Sequence, residues 1–445
     1  MRLWIKDPLA ILAENAGGGL VVENSRIVEL VPAGKQPSQP IDRTFDASRH
    51  VILPGLINTH HHFFQTLSRV HPQAYNKELF PWLVSLYPIW GRLNRDMFRI
   101  GARLALAELL LSGCTTAMDH NYMVFKGLED ATDIEVEEAR KLGVRATVTR
   151  GSLSLSEKDG AIPPDHIVQD EDTILADSER VLQTFHDTSD GAMTQIALAP
   201  CSPFSVSREL MRDTALLARD KGVMLHTHLA ENDEDIAYSQ AQFGCRPGQY
   251  AEELGWTGDD VWHAHCVKLD GQEIDLFARS KTGVAHCPCS NCRLGSGIAP
   301  VRAMRDAGVR VGLGVDGSAS NDAGNLAAEA RQAMLLQRVT RGADAMSARE
   351  ALWIATRGGA EVLGRDDCGQ IAVGKRADLA LWDVSGLESA GSWDPAALLL
   401  AGPQRVRYLL VEGRLVVEDG RIVSFDLDTA VARQTALARK LAEAV

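Results

Sequence analysis

Short apolar runs alternate with long amphipathic stretches through the middle of the chain. Eight such runs occur: VILPGLINTH, TTAMDH, VRATVTRG, QIALAPC, VMLHTHLAE, DVWHAHCV, TGVAHCP and VRVGLGVDG. Several of the intervening segments, such as EVEEARKLG and SRELMRDTALLARDKG, have the apolar spacing of amphipathic helices. Strands that alternate with helices predict β–α units and a parallel sheet. Eight of them favour closure into a (β/α)8 barrel.

The two ends of the chain have a different pattern. GGGLVVENSRIVELVPAG near the start, and IAVGKRADLALWDVSG and VRYLLVEGRLVVEDGRIVSF near the end, are short β-like runs joined by turns that contain Gly. Because these segments flank the barrel, we predict that they combine into one small β-sandwich. The predicted domains are a composite sandwich of residues 1–52 and 368–445 and a barrel of residues 53–367.

Polar side chains gather at the ends of the predicted strands, where the active site of a (β/α)8 barrel lies. The residues at or just beyond these ends are His60, His61, His62, Asp119, His120, Arg150, Cys201, His226, His228, Glu231, His263, His265, His286 and Asp316. Imidazoles and carboxylates that converge on one rim suit Zn²⁺ or another borderline divalent ion. We therefore expect a metal site at this rim.

The two-residue period of a strand separates these histidines. Side chains at positions i and i+2 share a face, so His60 and His62 point together and His61 points away. His228 and His265 lie nearer the barrel mouth than the preceding histidines of their strands, which favours them as ligands or catalytic groups. Three other histidines have a simpler interpretation as buried core residues: His226, His263 and His286.

Two carboxylates near the rim have competing interpretations. Glu231, three residues past His228, can accept a proton from an attacking water. It can equally be an acidic residue favoured at a helix N-terminus. Asp316 follows the eighth apolar run as part of Asp-Gly, which is also a common turn. The histidines elsewhere on the rim favour the functional interpretation of both residues.

Other residues near the rim are candidate substrate contacts. Trp82 and Trp90 in FPWLVSLYPIW can wall a planar ring, and ordinary hydrophobic packing explains them equally well. Arg150 at the end of the third predicted strand can bond a ring carbonyl or form a salt bridge at the rim.

Composition narrows the possible partners and compartments. The formal net charge is -13 over 445 residues, so we expect no broad basic face for a nucleic-acid polymer. The apolar run LALAELLLSG is too short to span a membrane, and the first residues lack the apolar core of a signal peptide. Eight cysteines in a chain of this kind predict free thiols in a reducing compartment, and we expect a cytoplasmic protein.

The stretch HCPCSNC shares a Pro-Cys-x-x-Cys spacing with zinc-dependent nucleobase deaminases. The His-x-Glu half of that signature is absent from the sequence, because HLAE has the wrong spacing. A redox pair or a structural zinc site are alternatives. Since no second cysteine pair follows, ordinary loop thiols are favoured.

Five motifs together resemble the amidohydrolase superfamily, in its mononuclear aminohydrolase branch: PGLINTHHH, HTHLAE, HAHCV, AHCPCSN and GVDGSASN. The terminal segments GQIAVGKRADLALWD and LLVEGRLVVEDGRIV are similar to the composite β-sandwich of that family. The resemblance covers nearly the whole chain. The nearest patterns are those of 8-oxoguanine deaminases and hydroxyatrazine-type aminohydrolases, with guanine and S-adenosylhomocysteine deaminases more distant.

This resemblance implies a role for each rim residue. The ligands of one Zn²⁺, with Fe²⁺ as the alternative, are His60, His62, His228 and Asp316. The catalytic residues are Glu231, which shuttles protons, His265, which bonds the attacking water rather than the metal, and Asp316. The fourth run, QIALAPC, has no Lys to bridge a second metal ion, which favours one metal.

The resemblance also implies substrate contacts at Gln65, three residues past His62, and at His120. Cys201 stands where adenosine-type deaminases of this branch carry His, which favours a small oxidised base over a nucleoside. Trp82 and Arg150 are added from the preceding argument. The predicted substrate contacts are therefore Gln65, Trp82, His120, Arg150 and Cys201.

The implied reaction is hydrolytic deamination of a small purine-like or triazine-like heterocycle. The first hypothesis is that 8-oxoguanine and water give uric acid and ammonia. Guanine and a hydroxy-s-triazine are alternative substrates. A non-catalytic zinc-binding barrel and a cysteine-based redox protein using Cys289 and Cys292 are alternatives of other classes. We also expect a homo-oligomer, with no membrane and no nucleic-acid polymer as partner.

Overall fold

Eight parallel strands form the centre of the fold in the computed structural model, which describes residues 1–401 and 405–443. Their order in the sheet follows the chain, and a bridge from Asn58 to Leu313 joins the first strand to the last. The barrel strands are Leu56–Ile57, Cys114–Asp119, Arg145–Ser152, Thr194–Pro200, Leu225–Leu229, Val261–His265, Gly283–His286 and Arg310–Leu313. The predicted (β/α)8 barrel is confirmed.

Helices surround the barrel, and local capping residues begin and end some of them. Ser207 caps Arg208–Lys221 by accepting from the amide of Leu210, and Gly222 ends the helix with a left-handed backbone. The α-helices are Leu79–Trp90, Arg95–Leu111, Ala131–Leu142, Glu171–Phe185, Arg208–Lys221, Asp233–Phe243, Pro247–Glu253, Gly271–Ser280, Pro288–Arg293, Val301–Ala307, Ser318–Asn321, Leu326–Arg341, Ala348–Trp353, Gly359–Val362, Pro395–Leu398 and Leu427–Glu443.

Shorter helical turns complete the connections. A π-helical segment covers Ile354–Gly358, and the 3-10 turns are Phe63–Ser68, Glu157–Asp159, Asp165–Ile167 and Leu387–Ser389. The turn at Phe63–Ser68 matters most here, because it follows the first barrel strand directly and all six of its residues are buried. None of the described helices combines the length and the apolar character needed to cross a membrane.

Two further sheets are built from both ends of the chain. In the four-stranded sheet the order is Arg26–Val31, Gly19–Glu23, Arg2–Lys6, Arg43–Asp46. In the six-stranded sheet it is Arg421–Ile422, Arg414–Glu418, Tyr408–Val411, Leu379–Asp383, His50–Pro54, Ala10–Ile11. Side chains from both sheets share one buried cluster, including Ile5, Leu20, Ile52, Leu379 and Leu410, as in a sandwich.

The apolar run VILPGLINTH contributes strands to two sheets, although we predicted a single barrel strand there. His50–Pro54 belongs to the six-stranded terminal sheet, and Leu56–Ile57 is the first barrel strand. Gly55 separates them, and a Cβ atom there would lie 2.0 Å from the side chain of Thr115, so only Gly permits this close approach. The strand His50–Pro54 thus spans the predicted boundary at 52/53. The domain limits stay predictions, and residues 402–404 and 444–445 of the terminal domain lie outside the described residues.

A buried ion pair links the barrel to the terminal sheets. The guanidinium of Arg145, on the third barrel strand, bonds Asp378 at 3.1 Å and also contacts Glu412. The side chains of Arg145 and Asp378 are 0% and 1% exposed. Breaking such a pair leaves an uncompensated buried charge, so Arg145→Met should cost about 3–5 kcal/mol of unfolding free energy.

Urea or thermal unfolding measures this cost. The control is Arg208→Met, which breaks a pair with Glu253 whose side chains are 46% and 43% exposed, and which should change stability by less than about 1 kcal/mol. Equal effects of the two substitutions would contradict a structural role for the buried pair.

Candidate active site

Four predicted ligands converge at the C-terminal mouth of the barrel. His60 and His62 follow the first strand, His228 lies near the end of the fifth, and Asp316 follows the eighth. The Nε2 atoms of His62 and His228 lie 3.2 Å apart. Asp316 Oδ1 is 3.3 Å from His62 Nε2 and 3.5 Å from His60 Nε2. Residues separated by more than 250 positions therefore present their ligand atoms to one point.

Backbone carbonyls determine which ring nitrogen of two of these histidines carries hydrogen. His62 donates from Nδ1 to the carbonyl oxygen of His120 at 2.8 Å, and His228 donates from Nδ1 to that of Cys201 at 2.6 Å. Burial lowers the pKa of His62, and it lowers the pKa of His228 to about 3, so both rings are neutral. A neutral imidazole has one N–H, so the lone pair of each ring is on Nε2.

This donor set fits a divalent cation. Two facing lone pairs 3.2 Å apart cannot hydrogen-bond each other, so the contact between His62 and His228 requires a positive species between them. Two ligands placed 2.0–2.1 Å from a tetrahedral ion lie roughly 3.3 Å apart, which matches the separations here. Burial opposes ionisation of Asp316, but its contacts with His60 and the charge of His265 hold its pKa well below the usual range. The donor set therefore consists of the neutral imidazoles of His60, His62 and His228 and the carboxylate of Asp316.

Glu231 and His265 form an acid–base pair beside the four ligands. Glu231 Oε2 lies 3.5 Å from His265 Nε2, and Glu231 Oε1 has no hydrogen-bond partner among the described residues. Burial raises the pKa of Glu231 to about 7, against the opposing effect of His265. Burial also disfavours the charged form of His265, but the carboxylates of Glu231 and Asp316 outweigh it and raise its pKa. Glu231 can therefore exchange a proton near neutral pH, and the raised pKa of His265 favours its protonated form.

A short segment after the seventh strand supports these groups. In the helix Pro288–Arg293, Ser290 donates to Asp316 Oδ2 at 2.5 Å, and Asn291 Oδ1 lies 2.8 Å from His265 Nδ1. Ser320 also donates to Asp316 Oδ2, at 3.1 Å. Sequence reasoning missed these residues, because it weighed only the cysteines of HCPCSNC. Their position just past a strand end was the available signal.

A small cavity opens beside the four ligands. Its apolar wall comes from Leu79, Trp82, Leu83, Phe204 and Leu294. Four buried polar atoms on its lining lack hydrogen-bond partners within the described part of the chain: Gln65 Oε1, Trp82 Nε1, Tyr87 Oη and Glu231 Oε1. Buried polar atoms without partners are costly, and a polar ligand in the cavity can satisfy them.

The predicted substrate contacts are divided between the cavity and its surroundings. Gln65, Trp82 and Cys201 line the cavity. Arg150 does not line it. Its guanidinium bonds Asp177 at 2.6 Å and Gln169 at 2.8 Å, so Arg150 forms the salt bridge that was the alternative to substrate binding.

His120 also lies off the cavity lining. It stacks on the ring of His228, with centroids 4.7 Å apart, and donates from Nε2 to the carbonyl oxygen of Ala199. Trp90 packs in the core and bonds Ser68. Sequence reasoning did not identify Tyr87 or Tyr122, which also line the cavity.

Comparison with known proteins shows the family to which the chain belongs. Residues 51–416 match the Amidohydrolase family. The chain belongs to the amidohydrolase family. It is 51% identical over 444 residues to the 8-oxoguanine deaminase of Pseudomonas aeruginosa, covering 99% of both chains. It is 40% identical over 417 residues to an isoxanthopterin deaminase from an unknown prokaryotic organism, covering 88% of this chain and 86% of that one.

Solved structures of amidohydrolases share the fold. The crystal structure of an atrazine chlorohydrolase from Arthrobacter aurescens, complexed with zinc, matches 98% of this chain and 100% of its own with a TM-score of 0.92 and 33% identity. The present amidohydrolase is therefore an enzyme that hydrolyses a carbon–nitrogen bond, of the deaminase or aminohydrolase type, and its site is suited to a divalent metal ion. A non-catalytic barrel is excluded.

Proposed function

We propose that this amidohydrolase deaminates 8-oxoguanine to uric acid and ammonia and holds one zinc ion, with Fe²⁺ as the alternative metal. The observation that carries the proposal is the carboxylate of Glu231 on the cavity wall: its Oε2 lies 3.5 Å from His265, and its Oε1 has no hydrogen-bond partner among the described residues. The same cavity is lined by His62, His228 and Asp316. The identity to the 8-oxoguanine deaminase over nearly the full chain supports the choice of substrate.

The residues present fit the zinc ion, which would be held by His60, His62, His228 and Asp316. When bound, the ion supplies Lewis acidity, which makes a water molecule acidic enough to attack at neutral pH. Glu231 takes the first proton of the attacking water and delivers it to a ring nitrogen next to the carbon under attack. His265 and Asp316 orient the water and receive its second proton, which leaves with the amino group as ammonia.

The lining of the cavity suits a planar heterocycle with polar edges, because apolar side chains stand beside buried polar atoms that have no hydrogen-bond partner among the described residues. We propose that Trp82 and Phe204 flank the planar ring, while Gln65 and Tyr87 bond its polar edge. Cys201 contributes a neutral thiol, because burial raises the pKa of Cys201 to about 12.

Ammonia release across a substrate panel tests the proposal. The panel contains 8-oxoguanine, guanine, isoxanthopterin, a hydroxy-s-triazine and S-adenosylhomocysteine, each measured as kcat/KM with metal-loaded enzyme. We expect the highest value for 8-oxoguanine and the lowest for S-adenosylhomocysteine, because Cys201 stands where adenosine-type deaminases of this branch carry His. A higher kcat/KM for any other member would replace 8-oxoguanine as the substrate, and ammonia from none of them would contradict deamination of this class.

The activity should fall at acid pH because Glu231 must be ionised to accept a proton. Burial raises its pKa from 4.5 to about 7, and the positive charge of a bound metal ion acts in the opposite direction. We therefore expect kcat/KM to rise with pH up to a plateau, with a midpoint between these two values and a tenfold fall per pH unit on the acid side. A flat profile from pH 4.5 to 7 would contradict this role of Glu231.

Assembly and location stay predictions. We propose a cytoplasmic homo-oligomer that acts on a small heterocycle. Mass photometry of the purified enzyme, compared with the 48.4 kDa mass of one chain, tests the oligomer, and a single species of that mass would contradict it.

A further inference from the structure

His226 lies one layer deeper in the barrel than the ligand set, two residues before His228 on the fifth strand. It is fully buried. Its Nδ1 is 2.9 Å from the carbonyl oxygen of Trp262, on the neighbouring strand, and its Nε2 is 2.8 Å from Nδ1 of His60. The ring also stacks on the indole of Trp262, with centroids 4.5 Å apart. Its position and its plane are therefore both constrained.

The positions of the hydrogens follow from these two contacts. A carbonyl oxygen can only accept, so His226 donates from Nδ1 to Trp262. A charged imidazolium would be costly at this depth, so the ring is neutral and its Nε2 carries a lone pair. The hydrogen in the contact between the two histidines must then come from His60 Nδ1. This leaves the lone pair of His60 on Nε2, which faces Asp316 at 3.5 Å.

We propose that His226 is a positioning residue that sets the tautomer and the orientation of His60 for metal binding. The other two histidine ligands donate from Nδ1 directly to backbone carbonyls. His60 differs, because its Nδ1 donates to His226. His226 in turn donates to the carbonyl oxygen of Trp262, so two hydrogen bonds in sequence link His60 to the backbone. An acceptor for the distal N–H of a metal-binding histidine raises its basicity and fixes its ring. The inference rests on the metal site of the proposed function and not on its substrate.

Direct metal ligation by His226 is the alternative, because His60, His120 and His226 each offer a ring nitrogen and these atoms lie within 4.8 Å of one another. The distance of 2.8 Å between His60 Nδ1 and His226 Nε2 is a hydrogen-bond length. It is shorter than the separation of roughly 3.3 Å expected for two nitrogens on one tetrahedral ion. The single lone pair of His226 is thus already used by His60.

Two conservative variants separate these roles. In His226→Gln the side-chain amide oxygen can occupy the place of Nε2 and accept from His60, but the bond to Trp262 is lost. In His226→Asn the amide nitrogen can occupy the place of Nδ1 and bond Trp262, but no acceptor reaches His60. The measurement is the zinc dissociation constant of each purified full-length protein, by competition with a chromophoric chelator.

We expect His226→Asn to weaken zinc binding by about 10–100-fold, the usual effect of removing the partner of a metal-binding histidine, and His226→Gln to stay within a few-fold of the unsubstituted protein. Wild-type affinity in both variants, or equal losses in both, would overturn the proposal. Equal losses would indicate a direct ligand or a packing effect.

A second measurement applies if either variant fails to fold, as judged by circular dichroism. In the metal-free unsubstituted protein with ¹⁵N-labelled histidine, nuclear magnetic resonance should show His60 protonated at Nδ1 and His226 at Nδ1. A hydrogen on Nε2 of His60 would overturn the proposal. Because neither experiment reads turnover, an enzyme that binds zinc but deaminates none of the panel would contradict the proposed function alone.

Discussion

Glu231→Gln should lower kcat by about 10²–10⁴-fold, the range expected for loss of a general acid–base group. Gln has nearly the same size and cannot exchange a proton, so the substitution tests proton transfer rather than cavity shape. Because Glu231 is outside the proposed ligand set, the purified variant should keep the metal content of the unsubstituted enzyme. Steady-state ammonia release together with metal analysis by mass spectrometry measures both quantities.

Glu234→Gln is the matched control. Glu231 precedes the helix Asp233–Phe243, and Glu234 lies in its first turn but is exposed to solvent. If Glu231 acted only through the favourable charge at a helix N-terminus, the two substitutions would have similar small effects. Retention of wild-type kcat by Glu231→Gln would show that its assigned role is wrong.

His228→Ala should remove both the metal ion and the activity. His228 contributes one of the three imidazole lone pairs at the site, 3.2 Å from that of His62. A bound metal ion supplies several kcal/mol of transition-state stabilisation, and a loss of about 4 kcal/mol is a factor of roughly 10³ in rate. We expect kcat/KM to fall at least this far and the metal content to fall well below that of the unsubstituted enzyme.

His263→Gln is the control for removing a barrel histidine. His263 is also buried and lies two residues before His265, but it bonds the carbonyl oxygen of Trp256 outside the site. Gln can preserve this bond, so metal content and kcat should stay near wild type. If His228→Ala retained its metal ion, or if both variants lost it equally, His228 would not be a ligand.

Strand alternation explains why His60 and His62 could be paired from the sequence, whereas the full set of proposed ligands came from the family resemblance. The residues His60 and His62 share a face in any extended backbone, and the ends of parallel strands meet at one rim of the barrel. The structure brings both to within 3.5 Å of the carboxylate of Asp316. Neither inference required a knowledge of the loops.

Side-chain direction on the outer elements could not be predicted in the same way. The orientation of Arg150 depends on Asp177, which the helix Glu171–Phe185 brings within 2.6 Å. The roles of Ser290 and Asn291 depend on how their short helix turns back over the barrel mouth. These contacts join separate elements, and a local pattern of apolar residues carries no signal for them.

The hydrogen-bond partner of His226 could not be predicted from the sequence either. The position of His226 on the same strand face as His228 was evident, and the simpler interpretation was a core histidine. The structure shows that His226 is buried, as a core histidine would be. Its ring nitrogen also forms a hydrogen bond with His60, which the sequence did not predict. Period-two alternation identifies a face but does not determine which partner lies at each depth.

The most direct test of the account is the stoichiometry of products from 8-oxoguanine. Enzyme stripped of metal by a chelator, the same enzyme reloaded with zinc, and zinc-loaded Glu231→Gln are incubated with 8-oxoguanine, and ammonia and uric acid are quantified together. If the protein is a zinc-dependent 8-oxoguanine deaminase, the reloaded enzyme should give equal amounts of ammonia and uric acid, and the other two samples at most background. Equal rates with and without zinc, or no uric acid from the reloaded enzyme, would contradict it.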